Sequence, residues 1–211
     1  MVCHRTDDME TGFDFTARMR EVCQDLVTCL PELGHIDLGL VAIAFAQARV
    51  RSSHGTYATL TPMRFKAGSL YTARQGQTYT VQRLYGPDGR ERLYILTFYM
   101  PRFMDVDLLE KLTTIIHELW HISPRFDGDI RRFSGRCYAH SHSQEKYDAA
   151  MQHLARRWLD TEPPETLYGF LKYRFDELQT RCGRIYGAKV RHPKLIPCAP
   201  RAVIASDAYG Q

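Results

Sequence analysis

Residues 105–124 read DVDLLEKLTTIIHELWHISP, and the spacing within them decides the fold of this part of the chain. Apolar residues recur three and four positions apart, which is typical of an amphipathic helix. They are Leu108, Leu112, Ile115 and Leu119, with Leu109 and Ile116 widening the stripe. Asp105 or Asp107 can cap the start of this helix, and Pro124 lies where it should end.

The same helix carries the pentad HELWH. Four residues of α-helix turn the chain by about 400° and raise it by about 6 Å, so His117 and His121 lie one above the other and can share one metal ion. Glu118 falls beside the position left open on that ion. A carboxylate there can take a proton from metal-activated water and pass it to a leaving amine. The pentad therefore predicts an open zinc site with Glu118 as its general base.

A structural zinc site is the alternative. Such sites are closed by four protein ligands and usually include cysteine. The chain has six cysteines, but none forms a CxxC pair, and only Cys137 is near the pentad in sequence. A closed site would also leave Glu118 without a role, so the residues favour hydrolysis.

The rest of the chain predicts an α+β domain in which helices pack against one small antiparallel or mixed sheet. Periodicity predicts helices at 14–30, 143–159 and 164–180. Residues 38–50 are typical of a buried strand, with helix as an alternative because of their alanines. Residues 56–65 are typical of a weaker extended stretch. The turn sequence GPDG predicts that its two flanking segments form a hairpin.

Length and composition predict one domain over residues 1–211, with a flexible N-terminus at 1–12 and a basic extension at 181–211. No apolar run is long enough to span a membrane, and the first residues lack the apolar core of a secretory signal. We therefore expect a cytoplasmic protein with no membrane partner. Residues 181–201 contain six lysines and arginines and no acid, so they are either a solvated tail or a nucleic-acid contact.

At residues 117–148, HELWHISPRFDGDIRRFSGRCYAHSHSQEKYD, the chain resembles metallopeptidases of phages and bacteria. In outline these are similar to the SprT-like zincins, which include the Spartan proteases of DNA–protein crosslink repair. The resemblance implies a zincin-like fold and a Zn²⁺ ion held by His117, His121 and a third histidine after a loop, here His140. It also implies Glu118 as the catalytic base.

The third ligand has two other candidates. Two imidazoles leave zinc under-coordinated, and catalytic sites usually supply three protein ligands. His140 is the preferred candidate, while Asp127 and His142 are the alternatives. Asp127 and Asp129 flank Gly128, a pattern typical of a turn or of outer support for a metal site.

The sequence thus predicts a zinc-dependent metallopeptidase that acts on a protein or peptide. One alternative is a nucleic-acid-associated regulatory or accessory module that keeps a zincin fold with little or no turnover, which the basic 181–201 segment favours. Another is a metal-dependent hydrolase acting on a bond other than a peptide bond. Glu118 favours an enzyme, because a binding module does not need that carboxylate.

Overall fold

A computed structural model describes residues 12–48, 55–132 and 144–198, in which a run of strands is followed by a run of helices. The strands are β1 (Gly12–Asp14), β2 (Val41–Gln47), β3 (Ala58–Pro62), β4 (Tyr71–Arg74), β5 (Gln77–Val81), β6 (Tyr94–Met100), β7 (Arg184–Tyr186) and β8 (Leu195–Pro197). The helices are α1 (Phe15–Cys29), α2 (Leu108–Trp120), α3 (Gln144–Leu159), α4 (Glu165–Tyr168) and α5 (Phe175–Cys182). This mixture confirms the predicted α+β class.

The strands form three small sheets, so the prediction of a single sheet is wrong. The central sheet has the order β2-β6-β3, with β2 parallel and β3 antiparallel to β6. A second sheet, β4-β5-β8, is antiparallel, and β1 pairs with β7 in a parallel ribbon. The central sheet leaves β3 at an edge, where it adjoins α2.

The predicted hairpin around GPDG is wrong in its extent. Only an isolated bridge between Tyr85 and Glu91 closes that turn. Beyond it the two flanking segments enter different sheets, because β5 pairs with β4 and β8 while β6 pairs with β2 and β3. The GPDG residues reverse the chain direction locally. The pairing of β6 with β2 and β3 instead depends on the burial of β6 in the middle of the central sheet.

The two faces of the central sheet bury different kinds of side chain, since alternate residues of a strand point to opposite faces. Larger residues of β2 and β6, such as Ile43, Leu96 and Phe98, join the main core with the helices. The opposite face carries Ala42 and Ala44 in a smaller cluster that includes Val81 and Ile95. The prediction that 38–50 holds a buried strand is confirmed by β2.

Helices α1 and α2 begin at capped residues. The Asp14 carboxylate accepts a hydrogen bond from the Ala17 N–H (3.0 Å), and the Asp107 carboxylate accepts one from the Glu110 N–H (2.8 Å). These bonds satisfy N–H groups that have no partner within a helix. Helix α2 packs between α3 and β3. Residues of α2, α3 and β3 therefore lie close together at the C-terminal end of α2.

The single helix expected at 164–180 is wrong, because the chain is broken there. Helix α4 is followed by a 3₁₀ turn at Gly169–Lys172, and α5 begins only at Phe175. Glycine is a poor helix former, and Tyr173 is extended (φ −92°, ψ 151°). The carbonyls of Leu171 and Tyr173 are instead bound by Lys111 of α2, at 2.8 Å each.

Part of the basic 181–201 segment belongs to the fold. Strand β7 pairs with β1, and β8 with β5, so through Cys198 the segment is not a free tail. The loop between these strands carries the exposed residues Lys189, Arg191 and Lys194. None of the helices in the described ranges is long and apolar enough to cross a membrane.

Candidate metal centre

The two histidines of the pentad converge at the end of α2. His117 lies in the last turn and His121 is the C-terminal cap. Their Nε2 atoms are 3.0 Å apart, and their ring centroids are 4.7 Å apart at an interplanar angle of 76°. Two nitrogens bound to one zinc ion at about 2.0–2.1 Å each lie roughly 3–3.5 Å from each other. The pair therefore fits two positions of a zinc site, although the same distance also suits an N–H···N hydrogen bond.

The third ligand is not found in the part of the chain that the structure describes. Within residues 12–48, 55–132 and 144–198, no three His, Cys, Asp or Glu side chains form a group that could hold a metal ion. His140, His142 and Cys137 lie outside these ranges. Asp127 lies within them but is not brought together with the histidine pair as a metal-binding group.

Asp127 and Asp129 instead stabilise the turn that follows α2, which agrees with the prediction that they form a turn. The Asp127 carboxylate accepts a hydrogen bond from the Asp129 N–H (3.2 Å) and pairs with Arg125 (3.3 Å). Gly128 between them has a positive φ of 83°, which favours glycine. Its N–H donates to the hydroxyl of the buried Tyr94 (2.9 Å).

Asp129 is the centre of this turn and is only 4% exposed. Its carboxylate accepts bonds from the Ala67 and Ile130 N–H groups and two from the Arg132 guanidinium, all between 2.8 and 2.9 Å. Burial alone would raise its pKa, but these bonds outweigh burial and hold the pKa of Asp129 below its ordinary value. Its carbonyl accepts from the Tyr94 hydroxyl (2.9 Å).

The chain after this turn returns to the end of α2. The Arg131 N–H donates to the His121 carbonyl (2.6 Å), and the Arg131 Nε donates to the Trp120 carbonyl (2.8 Å). The guanidinium carbon also lies 4.3 Å from the centre of the Trp120 ring. These contacts satisfy carbonyls that a helix end leaves without partners. They fix the backbone of His121 from outside the helix.

Glu118 points to the edge of the central sheet. Its Oε2 accepts a hydrogen bond from the Leu60 N–H of β3 (2.7 Å). Burial raises the pKa of Glu118 to about 7, although the Leu60 bond opposes the rise. A carboxyl with a pKa near neutrality can take up and release a proton at physiological pH. This is the behaviour required of a general base that later acts as an acid.

Tyr147 of α3 packs against both histidine rings. Its ring centroid lies 5.0 Å from that of His117, edge to face, and 6.3 Å from that of His121, nearly parallel. The residue is 6% exposed. Burial, followed by the nearby charge of Glu118, raises the pKa of Tyr147. It stays a phenol at neutral pH and restricts the orientation of both rings.

Compared with profiles of known protein families, with curated proteins and with solved structures, the chain shows no match. The resemblance to SprT-like zincins therefore stays a prediction.

Several supporting groups could not be identified from the sequence as parts of this centre. The Leu60 N–H is a backbone donor, so its residue type gives no signal. Nothing in the local sequence around Tyr147 indicates that its ring contacts the two imidazole rings. Lys111 lies in the buried stripe of α2 and is 1% exposed, where a lysine would be read as solvent-facing. Its partners are carbonyls exposed by the break after α4.

Proposed function

We propose that the protein is a zinc-dependent metallopeptidase with a zincin-like arrangement. The observation that carries the proposal is the convergence of the His117 and His121 Nε2 atoms to 3.0 Å on the helix turn that also holds the half-buried carboxylate of Glu118. Helix α2 presents these groups next to the edge strand β3 of the central sheet. The two proposed metal ligands, the proposed proton carrier Glu118 and a strand edge that an extended peptide could bind thus lie close together.

In this proposal His117 and His121 hold the metal together with His140. The described residues Arg131 and Tyr147, which precede and follow His140 in the sequence, both lie near the histidine pair. At one side Arg131 binds the His121 carbonyl, and at the other Tyr147 lies against both rings. A bound zinc ion would supply Lewis acidity, which polarises a carbonyl and acidifies water.

Glu118 performs the proton transfers. Because Oε2 is held by the Leu60 N–H, Oε1 is left to take the proton of the attacking water. The carboxyl then delivers that proton to the nitrogen of the departing amine.

The substrate would lie along β3. Odd-numbered residues of this strand turn their backbone groups to β6, as shown by the Tyr99 N–H bond to the Tyr57 carbonyl and the Met63 N–H bond to the Leu93 carbonyl, both 2.9 Å. Leu60 therefore faces outward, which its bond to Glu118 confirms. An extended peptide can add to this edge by β-augmentation. Its backbone would then pass directly by Glu118.

The test is cleavage of a mixture of denatured proteins by zinc-loaded protein, read by mass spectrometry. We expect new termini that disappear with a chelator and return with zinc. His121→Ala should lose both metal and cleavage, whereas His153→Ala, an exposed histidine on α3, should keep both. Failure of the wild-type protein to bind zinc or to cut any peptide would refute the proposal.

A nucleic-acid contact is the second candidate function, favoured by the exposed cations of the β7–β8 loop. Lys189, Arg191 and Lys194 project from a part of the chain held on two sheets. If they bind phosphates, affinity for DNA or RNA should fall steeply with added salt and drop when Lys189 and Arg191 are neutralised. No binding at low salt would dispose of this candidate.

A further inference from the structure

A cleft of about 460 Å³ opens at the end of β3. Its lining is largely uncharged but includes four cationic side chains, Arg64, Lys66, Arg74 and Arg132, and one carboxylate, Asp129. Its walls come from β3, β4, the turn after α2 and the approach to β8. We call this space the basic cleft.

Two of the four cations already have partners. Arg64 pairs with Glu91 (2.9 Å) and is 10% exposed, and Arg132 pairs with Asp129 (2.8 Å). Lys66 and Arg74 are exposed and form no ion pair among the residues that the structure describes. The basic cleft therefore has an unbalanced positive charge on the side formed by Lys66 and Arg74. A ligand carboxylate would complement it.

The cleft adjoins the same strand edge that holds Glu118. Thr61 and Pro62 line the cleft, and they directly follow Leu60, whose N–H binds the Glu118 carboxylate. Beyond Pro62 the edge is closed, because the Arg64 N–H donates to the Gly128 carbonyl (3.0 Å). The open stretch of edge thus leads from Glu118 toward the cleft.

An extended chain advances about 3.3 Å per residue, and alternate side chains share a face. A peptide lying on β3 with its reacting bond beside Glu118 would therefore bring a residue two positions away, at about 7 Å, to the mouth of the cleft. Side chains at that position would meet Lys66 and Arg74.

We propose that the basic cleft is a subsite for an acidic side chain of the peptide substrate, about two residues from the bond that is cut. This inference rests on the proposed peptidase function. Nucleic acid is the less suitable occupant, because phosphate backbones are bound along a track of several cations. Among the described residues that line the cleft, the lysine and arginine side chains without an ion pair are only two, Lys66 and Arg74.

The test measures binding and cleavage separately. Binding is followed by fluorescence anisotropy of a labelled eight-residue peptide with glutamate at alternate positions, against the same peptide with glutamine, on zinc-loaded Glu118→Gln protein. We expect the glutamate peptide to bind about tenfold more tightly. The double variant Lys66→Ala/Arg74→Ala should abolish this preference.

A matched double variant, Lys189→Ala/Arg191→Ala, removes the same charge from exposed positions that do not line the cleft, and should keep the preference. Equal affinity for the two peptides would overturn the inference. So would an equal loss in both double variants, which would indicate diffuse attraction. Tighter binding of a charge-matched oligonucleotide, lost with Lys66 and Arg74, would assign the cleft to nucleic acid instead.

The cleavage arm maps cut sites of wild-type protein in a peptide library. Enrichment of aspartate or glutamate two residues from the cut, reversed by Lys66→Glu/Arg74→Glu, supports the subsite. Cleavage without such enrichment overturns the subsite and leaves the peptidase proposal intact. Absence of cleavage alongside a preserved preference for the glutamate peptide refutes the peptidase proposal, while the cleft remains a site for acidic peptides.

Discussion

Replacing Lys111 should change how stability depends on pH, and the structure sets the size of the effect. The Lys111 ammonium group lies in the core at 1% exposure, where Nζ donates to the carbonyls of Leu171 and Tyr173. Burial lowers the pKa of Lys111 from 10.5 to about 8. Between these two values the unfolded chain binds more protons than the folded one, so the contribution of Lys111 to stability rises with pH.

The magnitude follows from linkage. A pKa lowered by this amount corresponds to about 3 kcal/mol over the whole transition, since one pKa unit is worth about 1.4 kcal/mol. About 2 kcal/mol of this should appear between roughly pH 7 and pH 9.5. Burial also raises the pKa values of Cys23 and Tyr94 to about 12, which lowers stability as pH rises. Both groups are present in wild type and variant, so their contributions cancel in the difference.

The assay is urea unfolding of wild-type and Lys111→Met protein, followed by circular dichroism at several pH values in this range. The stability of the wild type relative to the variant should increase by about 2 kcal/mol from roughly pH 7 to 9.5. Lys189→Met, at an exposed position, is the matched control for the loss of one lysine side chain. A difference between wild type and Lys111→Met that stays flat within about 0.5 kcal/mol would refute the reasoning.

Three further predictions concern the support of the site. Asp129→Ala should lower the free energy of unfolding by about 3 kcal/mol, because it leaves buried donors without an acceptor. Asp127→Ala should lower it by only about 1 kcal/mol. Urea unfolding of both variants measures this contrast. Asp107→Ala should cost about 1 kcal/mol through loss of the helix cap, and a thermal unfolding midpoint equal to wild type would contradict this. His140→Ala should weaken zinc binding by far more than about 100-fold, while His142→Ala should change it little. Calorimetric zinc titrations that gave the reverse order would identify His142 as the third ligand instead.

The sequence predicted helix α2 well, because its apolar stripe is long and its start and end are marked by Asp107 and Pro124. The proximity of His117 and His121 followed directly from helical spacing. It required no knowledge of the rest of the fold. Local signals therefore predicted the proximity of the two histidines of the candidate metal centre.

Sheet pairing could not be predicted in the same way. The GPDG turn describes only a reversal near Tyr85 and Glu91. The partners of β6 are β2, which lies about fifty residues earlier, and β3, and they are chosen by burial on both faces of the central sheet. The anchoring of Glu118 by the Leu60 N–H depends on that long-range pairing. The residue types at positions 60 and 118 alone do not predict this hydrogen bond.

The same limit applies to buried charge. Lysine side chains are mostly exposed in folded proteins, but Lys111 binds carbonyls that a break after α4 leaves without helical partners. The cost of burying an ammonium group is offset by these two bonds. Such compensation is decided by tertiary contacts between distant segments.

The central claim is that Glu118 carries protons at a zinc centre, and Glu118→Gln tests it most directly. An amide can still accept the Leu60 N–H bond but cannot accept a proton from water. Metal content and peptide cleavage should be measured on the same preparation of wild-type and variant protein. If Glu118 is the general base, both proteins should hold about one zinc per chain, and the variant should lose at least about 100-fold in cleavage rate. A variant that keeps its zinc and cleaves at the wild-type rate would contradict this claim.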